Sequence, residues 1–311
     1  MLKIERRIII LLYVLSGSSY KSYLKKNGFK YVPDFLIPQI RPRILGEIKR
    51  NEILVGKVLG INTQNFERVK DEKKYIKAIK ELKQIDDSKI YIEESNGLDK
   101  SILDLISQES GLAFCDGHNI RLFNIPHIIK SINGGLKRDR NFGDTLIISS
   151  KKEEILNIIQ SLIDQFSFFT VHGVEDSQKE EVYEDIFNKT GVSIFQPSNI
   201  DKILKNYSTI INFSNNLKID VNSIRNQALI IDFCQNKPLK LLENSKKNVI
   251  LIEDIFLKVE NYNSWINNFV SPSLFEALGE EKRIFSKIYT NNEFYNPSDF
   301  VRNSINRSGR I

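Results

Sequence analysis

Between residues 144 and 253 the chain alternates short, uninterrupted apolar runs with stretches that carry apolar residues at helical spacing. The runs are DTLIIS (144–149), FSFFTVHG (166–173), VSIFQP (192–197), YSTIINF (207–213), ALIIDFC (228–234) and NVILIE (248–253). Between them lie KKEEILNIIQSLIDQ (151–165), SQKEEVYEDIFNKTG (177–191), a short helix at 199–206 and a turn or short helix at 221–227. A strand with one solvated face alternates apolar with polar residues. These runs do not alternate, so both of their faces are expected to be buried. Strand–helix alternation implies parallel strands, and right-handed crossovers place helices on both sides of the sheet. The pattern predicts a doubly wound parallel α/β sheet over 141–258.

The chain has 311 residues, enough for a second core. Residues 1–140 read as an N-terminal α/β domain. RRIIILLYVLSGSS (6–19) has the outline of a secretion signal, but its β-branched start suits a buried first strand. It is far shorter than the ~20 apolar residues a membrane span needs, and a cytoplasmic protein is the expectation. Further along come a helix at 19–26 and a proline-broken crossing at 31–44. Strands at 52–61 and 89–94 alternate with an amphipathic helix at 71–85 and a helix at 98–111, the latter closed by Gly111. LAFCDGHNIRLFNI (112–125) reads as a hairpin turning at Asp116–Gly117, followed by a short helix opened by Pro126. The glycine-rich, charged stretch 132–145 predicts a linker, with the domain boundary near Arg140. Residues 259–311 are expected to form a helical tail that packs back on the N-terminal domain.

The chain carries a formal charge of +6, but its basic residues are interspersed with acids, which describes a solvated surface better than a nucleic-acid stripe. Cys115 and Cys234 stand far apart, and His118, His127 and His172 form no ligand cluster, so neither a disulfide framework nor a metal site is expected.

Residues 207–238, with TIINFSNN followed by ALIIDF, resemble the NAD(P)-binding Rossmann-fold domain of the shikimate dehydrogenase and glutamyl-tRNA reductase group of oxidoreductases. The resemblance spans about residues 144–255. It implies that Asn212, Ser214 and Asn215 line the nicotinamide side of a cleft and that Asp232 ends the neighbouring strand. The departure lies in the first β–α turn. The group needs G-x-G-x-x-G/A there, so that backbone can approach a pyrophosphate. This chain has IISSKKEEIL (147–156), without a glycine. Ser150 and Glu153 fit a capping box, which would occupy the N–H groups a phosphate takes and set carboxylates beside them. Ser177 and Glu180 fit a second one.

Several residues remain candidates for chemistry. Ser149, Ser150 and Lys151 would hold the phosphates if a dinucleotide binds through an atypical turn. His172 sits at a strand's C-terminal end, where open α/β sheets bind ligands. In CDGHN (115–119) a nucleophilic reading pairs Cys115 with His118 as its base, with Asp116 beside them, whereas the turn reading needs only Asp116–Gly117. The expectation is a Rossmann-like protein that has lost standard dinucleotide binding and acts non-catalytically on a protein partner or small effector. An NAD(P)-dependent oxidoreductase and a nucleic-acid-associated basic protein are the alternatives. No membrane partner is expected.

Overall fold

The computed structural model describes residues 10–33, 41–61, 69–95, 98–136, 144–215, 217, 219–244 and 248–308. In chain order the strands and helices are β1 (Ile10–Val14), α1 (Gly17–Lys26), β2 (Arg43–Arg50), β3 (Ile53–Gly60), α2 (Val69–Leu82), β4 (Asp87–Ile92), α3 (Lys100–Ser110), β5 (Ala113–Phe114) and α4 (His118–Gly135). They continue with β6 (Asp144–Ile148), α5 (Lys152–Leu162), β7 (Phe169–His172), α6 (Lys179–Thr190), β8 (Ile194–Phe195), β9 (Tyr207–Asn212), β10 (Leu229–Asp232) and β11 (Ile250–Ile252). The last are β12 (Asp254–Lys258), β13 (Phe269–Val270), α7 (Pro272–Ala277), β14 (Lys287–Thr290), β15 (Glu293–Tyr295) and α8 (Pro297–Ser308). Two compact units emerge: Met1–Gly117 with Lys258–Glu281, and His118–Leu257 with Lys282–Ile311. Arg140, where the sequence sets the boundary, lies outside the described residues.

In the first unit the strands order as β2-β3-β1-β4-β5. β3, β1, β4 and β5 run parallel, and β2 pairs antiparallel with β3. The apolar stripes of α2 and α3 close over Leu12, Val14, Leu59, Ile90 and Ile92. Helix α3 ends at Gly111, with φ 65°, as its sequence indicates. Across the sheet the buried Lys57 ammonium lies 3.0 Å from the Asp87 carboxylate.

In the second unit six parallel strands order as β11-β10-β9-β6-β7-β8. Counted from β6 this is the 3-2-1-4-5-6 order of doubly wound dinucleotide-fold sheets, with the direction of winding reversing between β6 and β9. One face carries α4, α5 and α6 over a core that includes Ile147, Ile155, Ile159, Phe169, Val171 and Ile211. The other face is covered by 3-10 turns at Leu204–Asn206, Val221–Ser223 and Pro238–Asn244 instead of the helix expected at 199–206. These connections are rich in Asn, Ser and Asp, whose side chains bond to nearby backbone in competition with a helix. Asp220, for instance, accepts from the Asn222 N–H.

Two expectations are corrected. Residues 119–123 are not a hairpin strand, and Pro126 does not open a helix: 118–135 is one helix with Pro126 inside it. Its buried residues Ile120, Asn124, Ile125, Ile128, Ile129 and Ile132 follow a helical period that the proline obscures. The stretch expected as a helical tail holds, over the described residues 259–308, the strands β13, β14 and β15 as well as the helices α7 and α8. β14 and β15 form an antiparallel hairpin around Asn291 and Asn292, both with positive φ (51° and 60°), the conformation a two-residue hairpin turn requires. Residues 258–281 group with the first unit and 282–311 with the second.

Candidate functional site

The site is built where β6, β9 and β10 end. Ser149 follows β6 and is buried; its N–H donates to the His172 carbonyl (3.0 Å). Its hydroxyl accepts from the Lys151 N–H (3.0 Å) and donates to Glu154 Oε2 in the first turn of α5. Glu154 is only 4% exposed, and its other oxygen lies 3.3 Å from Nε2 of His118, the first residue of α4. The His118 ring meets Phe213 edge-on, with centroids 5.4 Å apart, and Phe213 packs edge-on against Phe233 at 5.9 Å. Serine, carboxylate and imidazole thus form a chain across the start of α5, bordered by two aromatic rings.

This differs from the capping box expected of Ser150 and Glu153. Lys151 is the N-cap, no side chain bonds to the helix start in that way, and Ser150 and Lys151 are exposed. The serine that binds the turn is Ser149, and the buried carboxylate is Glu154, because that position of α5 faces the sheet. Lys152 turns to α6 and meets Glu181 at 2.7 Å and Asp185 at 3.6 Å. Ser177 and Glu180 form no capping box either: Asp176–Gln178 is a 3-10 turn, α6 begins at Lys179 without a side-chain cap, and Asp176 pairs with Lys179 at 2.6 Å. His172 is half-buried. Burial, followed by the Lys179 cation, pushes its pKa below the ordinary value, with Asp201 opposing.

At the ends of β9 and β10 the residues expected to line a cleft bond to one another. Asn212 and Asp232 are fully buried, and the Asn212 amide donates to Asp232 Oδ1 at 2.8 Å. Asn212 Oδ1 accepts from the Ser214 N–H (3.0 Å), and its amide also donates to the Ser214 carbonyl (3.3 Å). Asn215 Oδ1 accepts from the Asn236 N–H at 3.0 Å. The Asp232 carboxylate further accepts from the Cys234 thiol (2.9 Å) and the Leu239 N–H (3.2 Å). The structure gathers Asn212, Ser214 and Asp232 into one network and leaves Ser150 and Lys151 on the surface.

Residues that the sequence did not single out complete the site. Lys237 donates to the carbonyl of Asp232 (2.7 Å) and to that of Glu253. Burial pushes its pKa down, Asp254 opposes this and Arg121 adds to it. Arg121, on α4, grips Asp254 with two parallel bonds of 3.0 and 2.8 Å, the fork geometry of strong charge-assisted pairs. A recognisable signal was available only for Asp254, an acid directly after the last apolar run.

His118 Nε2 is turned to Glu154, and the Cys115 thiol lies 3.9 Å from the Ala113 carbonyl. Cys115 is buried, and burial pushes its thiol up to about 11 despite the Lys89 cation, with Glu276 and Asp116 adding to the rise. Burial likewise raises the Cys234 thiol, reinforced by Asp232. Alkylation of the native protein with iodoacetamide near neutral pH is therefore expected to modify neither cysteine until denaturant is added, because the thiolate is the nucleophile. Rapid labelling of Cys115 in the native state would contradict this environment. Among the described residues no helix is long and apolar enough to cross a membrane.

No protein-family model matches the chain, and no curated protein matches it in sequence. Solved structures give distant likenesses. L-tryptophan dehydrogenase from Nostoc punctiforme is 10% identical over 97% of this chain and 90% of that one, with a TM-score of 0.41. Shikimate 5-dehydrogenase from Listeria monocytogenes, solved with shikimate and NAD, is 9% identical over 81% and 88%, with a TM-score of 0.33. Delta(1)-pyrroline-2-carboxylate reductase from Thermococcus litoralis, solved with NADH and L-proline, is 11% identical over 38% of this chain and 37% of that one, with a TM-score of 0.31.

Proposed function

We propose that the six-stranded unit has closed its own phosphate-binding turn, and that the protein acts by binding a protein partner or a small effector instead of by nicotinamide redox chemistry. The observation that carries this reading is the buried Glu154 carboxylate in the first turn of α5, held by Ser149 and facing His118. A pyrophosphate at a helix start needs free N–H groups, the positive end of the helix dipole and a close backbone approach. Here the Lys151 N–H is already bonded to Ser149, a carboxylate occupies the first turn, and no glycine lies between 147 and 156. The residues present do not suit the standard binding of a dinucleotide. Titrating NADH or NADPH into the protein is expected to leave nicotinamide fluorescence unchanged; saturable enhancement would overturn the proposal.

The second reading, an NAD(P)-dependent oxidoreductase with an atypical turn, draws on the strand order and on the exposed Ser150 and Lys151 at the mouth of that turn. On that reading Lys151→Glu weakens cofactor binding, and an unchanged affinity counts against it.

A further inference from the structure

In the second unit the hairpin β14–β15 and helix α8 frame a recess of about 230 Å³, part of it open to solvent. Thr290, Asn291, Tyr295, Phe300, Asn303 and Ser304 line it. Thr290 shares the inner face of β14 with Ile288 and is only 3% exposed. Its hydroxyl has no hydrogen-bond partner among the described residues. Buried hydroxyls are nearly always bonded, so an orphan in the wall of a recess calls for a partner from outside the chain. The fold itself does not require this group, because valine has almost the same shape and suits a strand equally well. The helix side is also polar where packing favours apolar residues. Asn303 and Ser304 follow Phe300 at i+3 and i+4 and so share its face. Asn291 adds a third polar wall, held at the hairpin turn by its φ of 51° and by its N–H, which donates to Glu253 at 2.8 Å. Tyr295 and Phe300 supply two rings with centroids 5.8 Å apart.

From this lining we infer that the recess binds a small neutral polyol, of about the size of erythritol. Among the described residues no charged side chain lines it, so neither an anion nor a cation finds a counter-charge there. Thr290 brings a hydroxyl and Asn291 and Asn303 bring carboxamides, groups that both donate and accept. A ligand hydroxyl does both as well and matches each of them, while the C–H faces of a polyol pack on the rings of Tyr295 and Phe300. At the ~30 Å³ share of one water, the space takes about eight non-hydrogen atoms at most, and a single water leaves most of it unfilled. The inference deepens the small-effector reading and rests on it for its purpose. It shares no residue with the start of α5, so the polyol site and the closed turn can fail separately.

Titration of the isotope-labelled full chain with erythritol, followed by its backbone amide resonances, tests this. Saturable shifts centred on residues 290–304 are expected, with a Kd in the millimolar range, and acetate and methylammonium are expected to produce none. Thr290→Val is expected to weaken erythritol binding by about fivefold without lowering the melting temperature. A hydroxyl with only a structural role would do the reverse, lowering the melting temperature and leaving Kd unchanged. Should that variant fail to fold, Asn303→Leu, at an exposed position, is expected to weaken binding in the same way. No saturable shift with erythritol or with glycerol overturns the inference and leaves the recess to water. An unchanged affinity in either folded variant overturns it too, as does tighter binding of acetate or methylammonium. The NADH titration reads the α5 turn alone, so its result separates failure of the closed-turn reading from failure of this site.

Discussion

Replacing Asp254 with alanine is expected to cost about 3 kcal/mol of stability and to leave the second unit the weaker part of the chain. The side chains of Arg121 and Asp254 are only 16% and 17% exposed, and the two parallel bonds join them. Removing the acid takes two charge-assisted bonds from the largely buried guanidinium and removes a charge that also supports the Lys237 ammonium. Leaving an uncompensated charge in poorly solvated surroundings is more costly than the pair is worth. Chemical denaturation of wild type and Asp254→Ala measures the difference, and a loss below about 1 kcal/mol would show that the pair behaves like a surface salt bridge. The same group gives a pH signature. Burial raises the Asp254 carboxyl, but Arg121 by charge and hydrogen bond, together with Lys237 and the Ile255 N–H, outweighs it and holds the pKa below the ordinary aspartate value. The folded value being depressed, this contribution is present above the unfolded pKa of ~3.9 and is lost as the pH falls through the folded value. Asp254→Asn is expected to flatten the acid limb of the stability profile in that window, with little change in its slope near neutral pH.

The second large effect is expected at Gly117. Its φ is +73°, and a Cβ placed there would stand 2.4 Å from the Ser273 nitrogen and 2.6 Å from the Pro272 carbonyl carbon. Both contacts are with backbone at the start of α7, which cannot step aside as a flexible side chain would. That helix start is fixed in turn: the Ser271 hydroxyl caps it, Ser273 Oγ donates to the Asp116 carbonyl, and Glu276 accepts from the Gly117 N–H at 2.9 Å. Gly117→Ala therefore combines a left-handed backbone cost of about 1–2 kcal/mol with an overpacking cost of about 1–3 kcal/mol. The melting temperature is expected to fall by several degrees or more. Gly134→Ala, with open space around its Cβ position, serves as the control and is expected to be near neutral. Equal effects at the two positions would contradict the packing described for 115–117.

The parallel sheet of the second unit was legible because β6, β9 and β10 are buried on both faces, which demands continuous apolar runs such as LII, TII and LII. Gly191, with φ 71°, ends α6 where the sequence places it. What the sequence hid had identifiable causes. Asp116–Gly117 carries the positive φ of a turn, but that turn starts a helix instead of joining two strands, and local chemistry does not distinguish the two. Pro126 lies inside α4, where the helical period of the buried isoleucines prevails over the usual stop signal. The Asn291–Asn292 hairpin signal was present but lay between short runs that also read as helical. At the site, Ser149, Asn212 and Asp232 were found as residues, but their bonding was not, because which serine meets which glutamate depends on the face of α5 turned to the sheet. The pairing of Arg121 with Asp254, 133 positions apart in sequence, leaves no local trace.

The central claim, that the start of α5 is closed to a dinucleotide by its own side chains, is tested most directly by a thermal-shift titration of the wild-type chain with NAD⁺, NADH, NADP⁺ and NADPH, each to millimolar concentration. A ligand that binds the native state must raise the melting temperature by mass action, by an amount that grows with its concentration over Kd. No shift with any of the four is the expected result. A saturable shift with one of them, diminished in Lys151→Glu, would contradict the claim and establish that Ser150 and Lys151 hold a pyrophosphate in spite of Glu154.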